Sequence, residues 1–286
     1  MQVCNSTQSL CATTMPEDVL KMIIRETLPK RDNLAKRIAF PGETLRSLAQ
    51  CSKRFRKLAL EEKRDWIGRE GISLNLLGCR TGVEAVGYVI RNQLRGANLE
   101  EFPNLDDLSV AMLIASRPNL SLLYIKSWKI TQVSVDRIGS LTQLKELRLH
   151  NLSFRIEQLD LSRCEDLVLA ECQQGSLLGK ITLPNRANSL ERVIIERCER
   201  LKELKLPEQA NALQIVNIFE CHALTRITFP EQANSLIQIW FQHCNALTQL
   251  QLPDQVDRLQ KVSFDHRTGL TLIKLPKKAG LRRTKL

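Results

Sequence analysis

The chain has few aromatic residues and lacks long apolar runs. Aromatic side chains make up 5% of its 286 residues, and no stretch of 18 or more apolar residues occurs, so we expect no membrane span. The first residues lack the basic start and apolar stretch of a secretory signal. The nine cysteines are an odd number, which argues against a compact disulfide framework and favours a reducing cytosol.

Catalytic motifs are also missing. The sequence contains neither a glycine-rich phosphate loop nor HExxH, and we expect no catalytic residue, no cofactor and no metal. Cys221-His222 and His243-Cys244 offer two thiols and two imidazoles that could in principle hold zinc. Consecutive side chains point in different directions, however, and both cysteines occupy a repeated position. We therefore interpret them as buried, inert thiols.

Positive charge is concentrated at the two ends of the chain. Residues 1–80 contain 15 Lys and Arg against 9 Asp and Glu, and residues 267–286 contain 7 against none. A groove for nucleic acid would carry its basic residues along the whole binding surface, so we expect no nucleic-acid partner. We interpret the basic tail, 277–286, as a solvated cap. Its alternative role is binding to anionic lipid or acidic protein.

The dominant feature is a near-exact internal repeat. Four consecutive blocks, 189–211, 212–234, 235–257 and 258–280, follow the pattern LxxVxIxxCxxL and then a Leu-x-Leu-Pro step, with apolar replacements at some positions and with Arg267 in place of the cysteine in the last block. Three sets of positions keep this 23-residue period: Leu190, Leu213, Leu236 and Leu259; Pro184, Pro207, Pro230, Pro253 and Pro276; Cys198, Cys221 and Cys244. A fixed period of this length predicts the stacked coils of a solenoid, an architecture that usually presents a binding surface.

This pattern resembles leucine-rich repeats, in which an Asn or Cys closes the turn after a short strand. The resemblance implies that the Leu, Val and Ile of each strand point inward and that the cysteines are small apolar plugs in the turn. The Leu-x-Leu-Pro step would form a second short strand on the convex side, ended by proline. Irregular coils begin near residue 119, so we predict a repeat domain over 119–276.

The positions between the inward residues should face solvent along the concave sheet. Several carry large apolar side chains, which is typical of binding hot spots ringed by polar groups. The alternatives are that the C-terminal tail covers them or that the inward register is different. The predicted target-binding residues are Ile194, Ile215, Asn217, Phe219, Ile237, Gln238, Trp240 and Gln242.

The N-terminal part is predicted to be helical. We expect a flexible segment over 1–14, a helical domain over 15–70 and a helical connector over 71–118. The segment MPEDVLKMIIRETL, a loop, TLRSLAQCSKRFRKLA and then Trp66 resemble the F-box. Met15-Pro16 stands in place of the usual Leu-Pro, the Cys-Lys-Arg element at 51–56 has one extra residue, and the loop 29–42 is longer than the family norm.

The F-box resemblance implies docking on the Skp-family adaptor of cullin ubiquitin ligases. The residues that match the docking helices are Pro16, Val19, Leu20, Ile23, Leu45, Leu48, Phe55 and Leu58. A three-helix unit of this size cannot bury all its apolar stripes alone, so a partner surface is physically reasonable. The alternative is that these residues pack against the following helices as an ordinary N-terminal cap.

These observations predict an α+β fold, an F-box-like helical unit followed by a leucine-rich-repeat solenoid. The implied function is a non-catalytic substrate-recognition adaptor of a Skp-cullin-F-box ubiquitin ligase, which holds an unidentified protein target near the ligase. The first alternative is a leucine-rich-repeat interaction scaffold without a ligase partner. The second, a ligase with its own catalytic cysteine, is disfavoured by the chain length and the buried cysteine positions. Because the repeats also resemble bacterial arrays, the combination resembles a bacterial effector acting in the host cytosol.

Overall fold

The computed structural model describes residues 74–253, 255–265 and 268–274, with the single residues 57, 61 and 67. Eight parallel strands form its main sheet, and neighbours in the following order are hydrogen-bonded. The strands are β1 Gly96–Leu99, β2 Leu122–Lys126, β3 Glu146–His150, β5 Leu169–Gln173, β7 Arg192–Glu196, β9 Ile215–Phe219, β11 Gln238–Gln242 and β13 Lys261–Phe264. The sheet thus grows by one strand per coil, as the repeat predicts.

Shorter strands alternate with the main strands along the chain. Strands β4 Gln158–Asp160, β6 Lys180–Thr182, β8 Glu203–Lys205 and β10 Arg226–Thr228 form a four-stranded parallel sheet. Strands β12 Gln249–Gln251 and β14 Leu272–Lys274 pair separately. The Leu-x-Leu-Pro step therefore forms the second strand that the repeat predicts.

The first coils carry helices where the later coils carry short strands. After a 3₁₀ turn at Leu74–Leu77 come α1 Gly82–Arg91, α2 Asp107–Ser116 and α3 Gln132–Ile138. Each helix begins after a capping side chain that accepts a backbone N–H, and these caps, Thr81, Asp106 and Thr131, are evenly spaced along the chain. Their interval is slightly longer than the period of the later blocks, so these coils differ from the regular ones in both length and secondary structure.

The segment 71–118 is more than the helical connector that we predicted from sequence. It contributes β1 to the main sheet, where Ala97 pairs with Leu123 and Leu99 with Ile125. Both Ala97 and Leu99 are fully buried. The sheet therefore begins before residue 119. The longer spacing of these coils and the intervening helices hid this strand from a search for the 23-residue period.

A single hydrophobic core lies between the main sheet and the helices and short strands. Main strands such as β7, β9 and β11 alternate half-buried and buried residues, with Val, Ile and Phe at the buried positions. This alternation is the period-2 pattern of a strand with one face in the core. Ile67, from the N-terminal region, is buried in the same core.

A left-handed residue directly follows five of the main strands. Its φ lies between 52° and 58°, and it recurs once in each coil, as Asn151, Gln174, Arg197, Glu220 and His243. After β7, β9 and β11 the residue that follows the left-handed one is the repeated cysteine, which is fully buried. Each of these thiols lies 3.4–3.7 Å from the carbonyl oxygen two residues earlier. The prediction that the cysteines fill the turn is confirmed.

Candidate functional site

The candidate site lies on the face of the main sheet that points away from the core, here called the open face. Parallel pairing places Ile194, Asn217 and Trp240 side by side on β7, β9 and β11. Neighbouring strands lie about 4.8 Å apart, so these three side chains form a continuous row. All three are half-buried, and each is flanked by residues two positions away on its own strand.

Two aromatic residues pack against each other in this region. The rings of Phe219 and Trp240 meet edge to face, with centroids 5.0 Å apart and planes at 90°. This geometry is favoured for aromatic pairs and holds both rings in one orientation. The Lys261 ammonium lies 5.3 Å from the Trp240 centroid. Gln238 donates its amide N–H to the Asn217 side-chain oxygen at 3.2 Å.

The structure places most of the predicted target-binding residues together. We name as the apolar patch the seven that lie in register on β7, β9 and β11: Ile194, Ile215, Asn217, Phe219, Gln238, Trp240 and Gln242. Ile237 is half-buried and lies one residue before β11, outside this register. Target binding by any of these residues stays a prediction.

The apolar patch is too small to be a complete protein interface. Three strands of five residues cover about 10 by 13 Å, whereas a stable interface takes about 800 Å² from each partner. Binding energy is commonly concentrated in a few central aromatic residues surrounded by polar contacts. The patch therefore has the dimensions of a hot spot, and a bound partner would extend over neighbouring strands.

The other half of the open face carries an ionic cluster. Glu171 on β5 lies 3.1 Å from Arg148 Nε and 3.0 Å from His150 Nε2, both on β3. The second imidazole nitrogen of His150 lies 3.4 Å from Glu100. The Arg148 guanidinium lies 4.4 Å from the Tyr124 ring centroid. The open face thus carries a charged cluster over β2, β3 and β5, whereas over β7, β9 and β11 it carries Ile194, Ile215, Phe219 and Trp240 among polar residues.

This cluster changes the acidity of its central carboxyl group. Burial raises the pKa of Glu171, but the hydrogen bond from His150 and the charge of Arg148 outweigh it, and the pKa is lowered overall. Glu171 is therefore ionised at neutral pH and holds its two neighbours in place. Sequence reasoning missed this cluster because the early coils do not align with the 23-residue blocks.

The two Cys-His pairs do not form a metal site. Cys221 is buried whereas His222 is exposed, as expected for side chains that point in different directions. His243 instead lies 3.0 Å from the carboxylate of Asp265. Within the ranges that the structure describes, no group of three or more His, Cys, Asp or Glu side chains is placed to hold a metal ion.

The predicted adaptor-binding residues lie outside the described residues. This holds for Pro16, Val19, Leu20, Ile23, Leu45, Leu48, Phe55 and Leu58. None of the helices in the described part of the chain is long and apolar enough to cross a membrane.

Comparison with known proteins identifies the repeats. Residues 169–281 match the BspA type leucine rich repeat region in six copies. These residues are similar to a leucine-rich repeat region. A crystal structure of a leucine-rich repeat protein from Bacteroides ovatus ATCC 8483 matches at 15% identity, covering 58% of this chain and 68% of that chain. The TM-score of this match is 0.19.

No curated protein matches the sequence. Nothing in the comparisons supports the F-box resemblance of residues 15–68 or a ubiquitin-ligase complex. Repeats of this kind indicate a binding protein, and this agrees better with the alternative of an interaction scaffold than with a ligase adaptor.

Proposed function

We propose that this protein is an interaction scaffold that binds a protein partner through the open face, with the apolar patch at the centre of the interface. The observation that carries this proposal is the half-buried, edge-to-face pair of Phe219 and Trp240, set between isoleucines and glutamines. Rigid aromatic side chains ringed by polar groups are the usual composition of an interface hot spot.

The scaffold presents this pair with little conformational freedom. Phe219 and Trp240 lie on adjacent hydrogen-bonded strands, whose inner faces carry the fully buried Ile218, Ile239 and Phe241. Freezing side chains on binding costs about 0.5–1.5 kcal/mol for each mobile group. Because the two rings are already held by the sheet and by each other, most of that cost is absent here.

A narrower function, adaptor of a Skp-cullin ubiquitin ligase, follows only from the sequence of residues 15–68. One observation favours the scaffold instead. Ile67, which belongs to the predicted F-box-like domain, is buried in the core of the repeat array. That burial supports the alternative in which the N-terminal region caps the array. Pull-down with purified Skp adaptor tests the narrower function. Binding that is lost in the double variant Leu20→Asp, Ile23→Asp would support it.

We further propose that the protein works in a reducing compartment such as the cytosol. The six cysteines in the described ranges are free and buried, and three of them recur at one repeat position without pairing. Free, regularly spaced thiols are typical of reducing surroundings. Mass spectrometry of the protein isolated from its own cells under thiol-blocking conditions tests this, because disulfides among these cysteines would contradict it.

The main proposal is tested by photo-crosslinking followed by affinity measurement. A photoreactive phenylalanine analogue is placed at position 240, and a matched control carries it at Gln251, which is exposed on β12. The partner captured only from position 240 is then purified. We expect Trp240→Ala to weaken its binding by about 30-fold, equivalent to a hot spot of about 2 kcal/mol.

The control in the affinity measurement is Gln251→Ala, which should bind like the wild type. Circular dichroism melting of all variants shows whether the fold is intact. A partner whose affinity is unchanged by both Trp240→Ala and Phe219→Ala would overturn the assignment of the apolar patch.

A further inference from the structure

A second surface, distinct from the apolar patch, carries two strongly exposed aromatic rings. Trp128 is 54% exposed and Phe154 is 75% exposed. Both line a cleft of about 350 Å³ beyond the ends of β2, β3 and β5, here called the edge cleft. Its volume lies within the range of about 300–1,000 Å³ that small-molecule sites occupy. Exposed aromatic residues that border the same cleft can contact a ligand there.

The two exposed rings of the edge cleft do not form a ring–ring contact with each other. Among the described residues the aromatic pair in contact is Phe219–Trp240, so Trp128 and Phe154 do not cover each other. The buried Leu152 also borders the cleft. The edge cleft is therefore bordered by two separate aromatic surfaces, each able to meet one apolar face of a ligand.

The polar groups around these rings are mostly neutral. Asn151 and Gln174, both in the left-handed conformation, line the cleft together with Ser153 and Ser176. Amide and hydroxyl groups both donate and accept hydrogen bonds. These four side chains therefore match a ligand with several hydroxyl groups.

The charged groups of the edge cleft do not favour an anionic ligand. Arg197, its one cation, already forms an ion pair with Glu220, with Nε 2.9 Å from Oε2, and lies 3.7 Å from Glu196. Glu199 adds a carboxylate, which repels anions and accepts hydrogen bonds from hydroxyl groups. Lys129 is not among the residues that line the cleft, but its ammonium lies 5.3 Å from the Trp128 ring centroid, so one face of that ring already contacts a cation.

We propose that the edge cleft binds a neutral saccharide. A sugar ring has polarised C–H groups on its apolar face, which are attracted to the negative face of an aromatic ring. Its hydroxyl groups lie around the rim, where they would meet the amides and serine hydroxyls. The edge cleft shares no residue with the apolar patch, so this proposal stands independently of the proposed function.

Titration of the full chain with neutral hexasaccharides tests the proposal. The panel contains α-glucan, β-glucan, β-mannan, β-xylan and chitin oligomers, and binding is followed by calorimetry. We expect at least one to bind with a Kd of about 1 mM or tighter. Trp128→Ala and Phe154→Ala should each weaken that binding about tenfold, as expected for the loss of one aromatic surface.

A third variant removes a hydrogen-bonding group without disturbing the backbone. Asn151→Gly deletes the side-chain amide at a residue with φ of 55°. Glycine adopts this left-handed conformation at least as readily as asparagine. It should weaken saccharide binding about threefold or more, since each lost hydrogen bond is worth about 1 kcal/mol. Trp240→Ala, on the apolar patch, is the matched control and should bind as the wild type does.

Three results would overturn the saccharide site. They are the absence of binding by every hexasaccharide at about 5 mM, well above the expected Kd; binding that survives Trp128→Ala; and binding that is lost equally in Trp240→Ala. A proline-rich peptide that binds where no saccharide does, and is lost in Trp128→Ala, would show that the cleft recognises a different class of ligand. Failure here leaves the photo-crosslinking result at position 240 unaffected.

Discussion

Replacing Gln174 with glycine should stabilise the protein. Gln174 follows β5 with φ of 58°, a left-handed conformation that costs a residue with a Cβ atom about 1–2 kcal/mol. Its backbone N–H donates to the carbonyl of Glu196 at 2.9 Å, a bond that glycine keeps. The glycine variant also has a more flexible unfolded chain, which lowers its free energy of unfolding by about 0.4–1 kcal/mol and offsets part of this gain. The net gain in the free energy of unfolding should be about 0.5–1 kcal/mol.

Thermal melting and urea denaturation followed by circular dichroism measure this gain. For a chain of this size the melting temperature should rise by about 1–4 °C. The m-value should stay constant, which shows that stability rather than compactness of the unfolded state has changed. Solenoids can lose coils one at a time, so unfolding is not always two-state. Both the thermal and the urea transitions should therefore be followed at several wavelengths, and coincident transitions would indicate two-state unfolding.

Two matched variants make the test specific to the left-handed conformation. Gln174→Ala keeps the Cβ atom and should be no more stable than the wild type. Lys180→Gly changes an exposed residue in the short strand β6, and should lower the free energy of unfolding by about 0.5–1 kcal/mol. If Gln174→Gly is less stable than Gln174→Ala, the reasoning about the repeated left-handed residue is wrong.

Three further predictions concern charge, thiols and the core. Glu171→Gln should lower the free energy of unfolding at pH 7 by about 1–2 kcal/mol, because the lowered pKa of Glu171 stabilises the fold above its unfolded pKa. The difference from the wild type should shrink as the pH falls through the lowered pKa of Glu171 in the folded protein, because the carboxyl is then protonated in both states. Burial raises the pKa of Cys164 to about 11 and of Cys244 to about 12, so neither should react with iodoacetamide at pH 8 until denaturant is added, as peptide mapping would show. Leu236→Ala should cost about 3–4 kcal/mol in denaturant unfolding, and the neighbouring, half-buried Ile237→Ala less than about 1.5 kcal/mol.

Each of these three predictions has an outcome that contradicts it. A constant difference for Glu171→Gln between pH 7 and pH 3 would show that the lost contact is not ionic. Rapid alkylation of Cys244 in the native protein would place its thiol outside the core. Equal losses in Leu236→Ala and Ile237→Ala would mean that Leu236 is not the inward residue of the segment leading into β11.

The regular coils show how far sequence reasoning reaches. The alternation in β7, β9 and β11 and the burial of Cys198, Cys221 and Cys244 follow from the 23-residue blocks. Each coil stacks on a near copy of itself, so a position that is inward in one coil is inward in the next. Aligning the blocks therefore predicts burial without knowledge of any distance.

The early coils show where that reasoning ends. Helices α1, α2 and α3 follow caps whose spacing exceeds the period of the later blocks, and β1 lies in a segment that the sequence indicated only as helical. No block of this region repeats residue for residue, so neither the strand nor its register could be read from the period. The ionic cluster around Glu171 and the edge cleft beside Trp128 both involve coils of this kind.

By itself the sequence determined that this chain forms stacked coils, which residues of the regular coils point inward and which strands carry large apolar side chains outward. These properties repeat within each coil and so are visible in a single alignment of the chain with itself. Only the tertiary structure decided which outward side chains come together: Phe219 contacts Trp240, Glu171 lies between Arg148 and His150, and Trp128 and Phe154 border the same cleft. Such contacts join residues about one coil apart, and they depend on strand register, ring orientation and turn geometry that no single coil contains.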